Sequence, residues 1–222
     1  MHKEIKTPWG VIFPQVSLFP ILYLLFIYGF VYILPYGRDL IGISWFDWLR
    51  REDGPLEWIQ FIEYAISSIL ALLIYVRTKR KKNINAIIWL LIAFLSFVIA
   101  GEEISWGERI TGIGINSISD INVQGETNFH NLPFFHNYFL DPIFEISCIF
   151  LGWFGWRKFK NIKALPSKDL SLYFLFVALF YFYFDLSWAS TTQQIRNDQE
   201  IFEFLLSTGI FLHCYKNFKK LD

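Results

Sequence analysis

Apolar residues in this chain gather into six long runs, and the connectors between them alternate in charge. Residues 16–34 are uncharged. The run 56–76 holds Glu57 and Glu63, and 84–101 is uncharged but passes straight into Glu102-Glu103. Residues 138–156 carry Asp141 and Glu145, 170–190 carry Asp185, and 201–215 carry Glu203. A bilayer-crossing helix needs roughly 20 mostly apolar residues. The pattern therefore predicts an all-α, polytopic membrane helix bundle of about six transmembrane helices, with residues 1–222 forming a single integral membrane domain.

Charge gives that bundle an orientation. Lys3 and Lys6 precede the first run, and a basic stretch over 77–82 follows the second. Arg157, Lys158, Lys160, Lys163 and Lys168 separate the fourth and fifth, and Lys216, Lys219 and Lys220 follow the sixth. Fifteen of the twenty Lys and Arg, including all twelve Lys, thus share one side, while seventeen of the twenty Asp and Glu share the other. The positive-inside rule makes the basic side cytoplasmic, with both termini inside, in a multi-pass protein of the bacterial cytoplasmic (inner) membrane. Residues 1–15 contain no apolar core and no small-residue cleavage site, so the start is read as uncleaved.

Composition agrees with that picture and removes several classes of function. The chain is 54% hydrophobic and 20% aromatic with zero formal net charge, an average that hides the difference between sides. Cys148 and Cys214 both fall in apolar runs, which argues against a disulfide framework. The basic run at 77–82 lacks interleaved aromatics, so it reads as an anchor to anionic lipid rather than a nucleic-acid surface. No phosphate-cradling glycine loop, Gly-x-Ser-x-Gly elbow, HExxH or CxxC is present.

Several polar residues need a physical explanation. Glu63 lies about 10 Å into the predicted hydrocarbon and Asp185 about 8 Å below its outer edge. Both are too short to reach headgroup water, so each needs a partner, a proton or a metal. Glu102 and Glu103 end an apolar helix, where the negative pole of the macrodipole adds to their mutual repulsion. Arg109 is the nearest compensating cation. The outer connector 102–137 contains Gly107, Gly112, Gly114, Gly125 and Pro133, so it is not one helix. It also holds Asn128, Asn131, His130 and His136, and imidazole beside carboxylates can carry acid–base chemistry or ligate a metal.

Three stretches, EDGPLEW at 52–58, GEEISWGER at 101–109 and NVQGETNFHN at 122–131, together resemble a group of bacterial multi-pass membrane proteins. The resemblance covers roughly residues 50–137. It implies that these stretches belong together and implies no activity. The Glu-Glu-x-x-x-Arg motif of intramembrane CAAX-type proteases does not fit, because its arginine position is Gly107 here. The alkaline ceramidase-like family is echoed by Asp47, Glu52 and Glu63, but its late histidine pair is missing.

The expectation is an outward-facing intramembrane enzyme, a hydrolase or transferase acting on a lipid headgroup or linkage at the outer leaflet. Glu102, Glu103, His130 and Asp185 are the candidate catalytic residues, and Arg109, Asn128, Asn131 and Trp106 the candidate substrate-binding residues. Glu63, Glu102, His130 and His136 are the candidate ligands of a divalent metal, the one cofactor considered. Membrane lipids are the expected partners, and nucleic acid is not. The alternative is a homo-oligomeric ion channel or small membrane effector with an acidic outer vestibule, in which Ala65, Ser67, Ser68 and Ala71 offer a packing face.

Overall fold

The computed structural model describes residues 5–7, 10–12, 14–33, 42–51, 53–79, 83–123, 125–134, 140–184 and 198–221. Each of the six apolar runs is helical wherever it is described. Helix α1 (Pro14–Leu24) widens into π-helical turns over Leu25–Ile33, and α2 spans Ile43–Leu49. The long helices α3 (Pro55–Thr78) and α4 (Ile84–Glu103) follow. Two one-turn helices, α5 (Glu108–Thr111) and α6 (Asn116–Ser119), punctuate the connector. Helix α7 (Leu140–Ile149) passes through π-helical Phe150–Gly155 into Trp156–Lys158, and α8 (Ser171–Phe184) and α9 (Gln199–Phe218) complete the bundle. Among the described residues the one extended pairing is an antiparallel hairpin of Ile5–Thr7 with Gly10–Ile12, which the hydropathy pattern did not anticipate.

Helices α3 and α4 are long and apolar enough to cross a membrane. Much of their large apolar surface points outward. On α3, Gln60, Tyr64, Ser67, Ala71 and Ile74 are buried at alternating steps of four and three, while Ile59, Ile62, Ile66, Ile69, Leu73 and Val76 are exposed. On α4 the buried stripe is Ala86, Trp89, Ala93, Ser96 and Ala100, and Phe94, Leu95 and Phe97 are exposed. Small and polar side chains toward neighbouring helices, with large apolar ones outward, is the arrangement that suits lipid. The small residues allow close approach, and Ser68 Oγ donates to the Ala93 carbonyl at 2.8 Å across the pair.

The ends of these helices follow from local chemistry. Pro55 opens α3 at the first helical position, where its missing N–H costs no hydrogen bond. Asn83 caps α4, its Oδ1 accepting from Ala86 N at 3.1 Å. Ser67 and Ala71, expected to pack copies of the chain together, are fully buried within it. That face is filled by the chain's own helices, with α3 packed on both α4 and α9.

The main core lies between α8 and α9, where Tyr173, Phe174, Val177, Ile201 and Leu205 are almost completely enclosed, and α1 and α7 pack on α8. At one end of the bundle Arg50 ties α2 to the start of α9 through Asp198 at 2.5 Å, with Asp47 at 2.9 Å. At the other end His213 stacks on Trp89 at 4.9 Å between ring centroids and donates from Nε2 to the Ala164 carbonyl.

Candidate functional site

The site grows from the way α4 stops. Ile104 leaves the helix, and Ser105, Trp106 and Gly107 then adopt three consecutive positive φ values of 46°, 52° and 93°. Gly107 accepts this conformation readily, whereas each non-glycine residue in the left-handed region costs about 1–2 kcal/mol. Such strain persists only where surrounding contacts impose it. Here the contacts are specific. Ser105 is fully buried and donates to Glu126 Oε2 at 2.6 Å. The Trp106 indole folds back over the helix end and donates from Nε1 to Glu102 Oε1 at 2.5 Å. Gly101 makes room for that ring, since a Cβ at this position would meet Trp106 atoms at 3.0 Å.

The reversed chain separates the two adjacent glutamates. Successive helix positions point about 100° apart. Glu102 turns toward the connector, where its Oε2 accepts from the backbone N–H groups of Phe129 at 2.7 Å and His130 at 2.9 Å. The same oxygen lies 3.0 Å from His130 Nδ1. Glu103 instead lies among charges from other elements, chiefly Glu203, Glu57 and Arg109. Beside it Gln60 is fully buried and donates to Glu200 Oε2 at 2.8 Å, and Tyr181 donates to Glu203 at 2.5 Å.

Arg109 is the hub that holds three segments together. Its NH1 contacts Glu57 Oε1 at 2.6 Å and donates to the Glu103 carbonyl at 2.8 Å. Its NH2 donates to Glu126 Oε2 at 3.1 Å, and its Nε forms an ion pair with Asp53 at 2.8 Å outside hydrogen-bonding alignment. Burial alone would favour loss of the Arg109 proton. The charge of Glu57 and its hydrogen bond outweigh that, with Glu126 and Asp53 adding to them, so the guanidinium is held even more firmly protonated than usual. A second brace runs through Glu108, whose Oε2 accepts from Thr127 N at 2.6 Å, and Thr127 Oγ1 in turn accepts from Ile115 N at 2.7 Å.

The expected site residues therefore divide. Glu102, His130 and Trp106 come together. Arg109 lies next to them, acts on Glu103 by its charge and is otherwise engaged by Glu57, Asp53 and Glu126. Asn128 is fully enclosed and donates to Glu126 at 3.0 Å while accepting from Asn122 at 2.7 Å, a structural position. Asn131 is buried as well, and its carbonyl accepts from Val123 N at 3.0 Å. Asp185 and His136 lie outside the described residues.

Of the expected metal set, Glu102 and His130 meet, Glu63 is engaged elsewhere and His136 lies outside the described residues. Glu63 is held by α9, where Ser207 Oγ donates to it at 2.6 Å and Thr208 Oγ1 at 3.0 Å, whereas Glu102 is bound to His130. Among the described residues no three His, Cys, Asp or Glu side chains are arranged to hold a metal ion. The partners that the sequence reading missed are Glu126, Asp53 and Glu57 around Arg109. Glu126 is the lone carboxylate of 122–131. That made it the obvious counter-charge for a nearby arginine.

The indole of Trp106, 40% exposed, and the ring of Phe129 make an edge-on aromatic pair with centroids 6.1 Å apart beside the His130 imidazole. The His130 side chain is 41% exposed. No family model, curated protein or solved structure matches this chain.

Proposed function

We propose that the protein is an enzyme of the bacterial cytoplasmic membrane, crossing it six times with both termini inside. Its outer face would carry an acid–base site built on Glu102 and His130. The reaction class is hydrolysis or group transfer at the headgroup or linkage of a membrane lipid. One observation carries this reading. Glu102 accepts from His130 Nδ1, which sets the tautomer and leaves Nε2 as the second nitrogen of a half-exposed side chain.

A carboxylate behind Nδ1 orients an imidazole and stabilises its protonated form, so Nε2 can take a proton and later return it. At a phosphoryl or acyl centre, Nε2 would remove the proton from an attacking water or lipid hydroxyl. The new bond to phosphorus or carbon forms as the old ester bond breaks, and the imidazolium delivers its proton to the departing oxygen. Glu102 keeps its charge throughout. Ser105 is not the nucleophile in this scheme, because its hydroxyl is spent on Glu126. The exposed rings of Trp106 and Phe129 supply an apolar flank for acyl chains.

Support for the setting comes from the lipid-suited faces of α3 and α4 and from the charge asymmetry of the connectors. The channel reading draws on a different feature, the carboxylates Glu57, Glu103, Glu200 and Glu203 clustered where α3, α4 and α9 meet. Arg109 neutralises part of that cluster, and the small-residue face of α3 is already filled within the chain. Reconstitution of purified protein into liposomes of bacterial polar lipids separates the two. Mass spectrometry should reveal a lipid product without cation flux. Steady cation flux with unchanged lipids would establish the channel instead.

A further inference from the structure

The end of the bundle remote from Glu102 carries a second feature, unrelated to the acid–base site. A cavity of about 500 Å³ opens between the end of the α7 helical segment, the turn that follows it, and the end of α9. That volume falls in the range of small-molecule sites. Lys160, Lys163, Lys168 and Lys220 line it, together with Trp156 and Ser167. Among the described residues no carboxylate lines it. The neighbouring Asp169 is buried and engaged by Lys216 and by the Ser167 hydroxyl.

The wall is built rather than draped. Ala164 N donates to Asn85 Oδ1 at 3.0 Å, and the Ala164 carbonyl accepts from His213 Nε2 at 2.9 Å, pinning the turn to both α4 and α9. Ile162 N and Leu165 N close successive turns onto Phe159 and Ile162. Lys168 lies 5.5 Å above the Trp156 ring, which fixes the side of the cavity on which one ammonium sits. Four lysines thus border one hollow, which suits a compact anion such as a phosphate group.

The surroundings indicate how that anion arrives. From the rim at Phe159 an exposed apolar strip runs back along the helix through Trp153 and Phe154. Arg157 lies across it, its guanidinium 3.3 Å from the Trp153 ring centre and 4.7 Å from that of Trp156. Aromatic residues and snorkelling arginines at this level mark a membrane interface, and basic pockets on the cytoplasmic side are suited to anionic headgroups. A phosphate in the cavity with acyl chains along Trp153 and Phe154 would satisfy both halves of the surface.

We propose that this cavity binds the phosphate-bearing headgroup of an anionic glycerophospholipid from the cytoplasmic leaflet. The proposal shares with the proposed function only the membrane setting and not the Glu102–His130 chemistry. Detergent-purified full-length protein would be offered equimolar phosphatidylglycerol and phosphatidylcholine of identical chains, and bound lipid read by native mass spectrometry. The expected result is one retained phosphatidylglycerol at about tenfold preference, lost at least tenfold in Lys160→Gln/Lys163→Gln/Lys220→Gln. A control pair outside the cavity, Lys79→Gln/Lys219→Gln, should retain it. Equal retention of the two lipids would overturn the proposal, as would loss in the control pair to the same extent. Displacement by inorganic phosphate at the lipid's own concentration would assign the cavity to a soluble anion and overturn the lipid assignment. Resistance of the protein to carbonate extraction from membranes is scored separately, so failure of the membrane setting is distinguishable from failure of this site.

Discussion

His130 Nδ1 lies 3.0 Å from Glu102 Oε2, and that same oxygen accepts the His130 backbone N–H at 2.9 Å. One carboxylate at the end of α4 therefore both orients the imidazole and anchors the segment that bears it. Loss of the ring and loss of the carboxylate should have different consequences. His130→Ala removes the ring but leaves both backbone hydrogen bonds to Glu102. Glu102→Ala removes two backbone hydrogen bonds as well, one exposed and one part-buried, which costs about 1 kcal/mol. Thermal unfolding in detergent should show a clear drop in Tm for Glu102→Ala and little change for His130→Ala.

The adjacent glutamates should also differ in activity. Glu102→Gln replaces the charge that stabilises an imidazolium, and turnover of lipid should fall about 10²-fold or more. It is Glu102 that pairs with the His130 ring, so Glu103→Gln should leave turnover within about threefold of the native protein, a margin smaller than any general acid–base contribution. Equal loss in both variants, measured as product formed per folded protein, would remove the distinction between them.

Arg109 should matter through stability. It contacts Glu57, Asp53 and Glu126, and its own side chain is 13% exposed. Removing one partner from a largely buried ionic network leaves uncompensated charge, so Arg109→Ala should destabilise by about 3 kcal/mol. Arg109→Lys keeps the charge but loses the forked geometry and should fall between. Apparent Tm values for the three proteins check the order.

Gly101→Ala tests the reversed turn. The added methyl would meet the Trp106 ring at 3.0 Å, displacing the indole from Glu102. Overpacking of this kind costs about 1–3 kcal/mol. The loss of indole packing should appear as a lower Tm together with faster exchange of the Trp106 Nε1–H in NMR spectra.

Orientation can be read chemically. In a background lacking Cys148 and Cys214, cysteines at Lys79 and Lys160 should resist an impermeant thiol reagent in intact cells, and a cysteine at Asp120 should react. The opposite pattern would invert the topology and place the Glu102–His130 site in the cytoplasm.

Much of the scaffold was legible because long apolar runs show in the residue types. The helices in the described parts of all six apolar runs followed from hydropathy, and the different directions of Glu102 and Glu103 followed from helix geometry. The turn at Ser105 and Trp106 was not legible, since positive φ at non-glycine residues comes from tertiary contacts rather than local propensity. Nor was the partnership of Glu63 with Ser207 and Thr208, which depends on the register between α3 and α9. The same is true of Arg109. Its charge pointed to its neighbours Glu102 and Glu103, and the reversed chain also carries it to Glu57, Asp53 and Glu126.

The central claim is that His130 Nε2 performs proton transfer in a lipid reaction, and one comparison tests it most directly. Native protein and His130→Ala, each purified and shown to be folded, are incubated with bacterial polar lipids, and products are quantified by mass spectrometry. The native protein should generate a product that His130→Ala forms at least about 10²-fold more slowly. Product formation at an undiminished rate in His130→Ala would contradict the account.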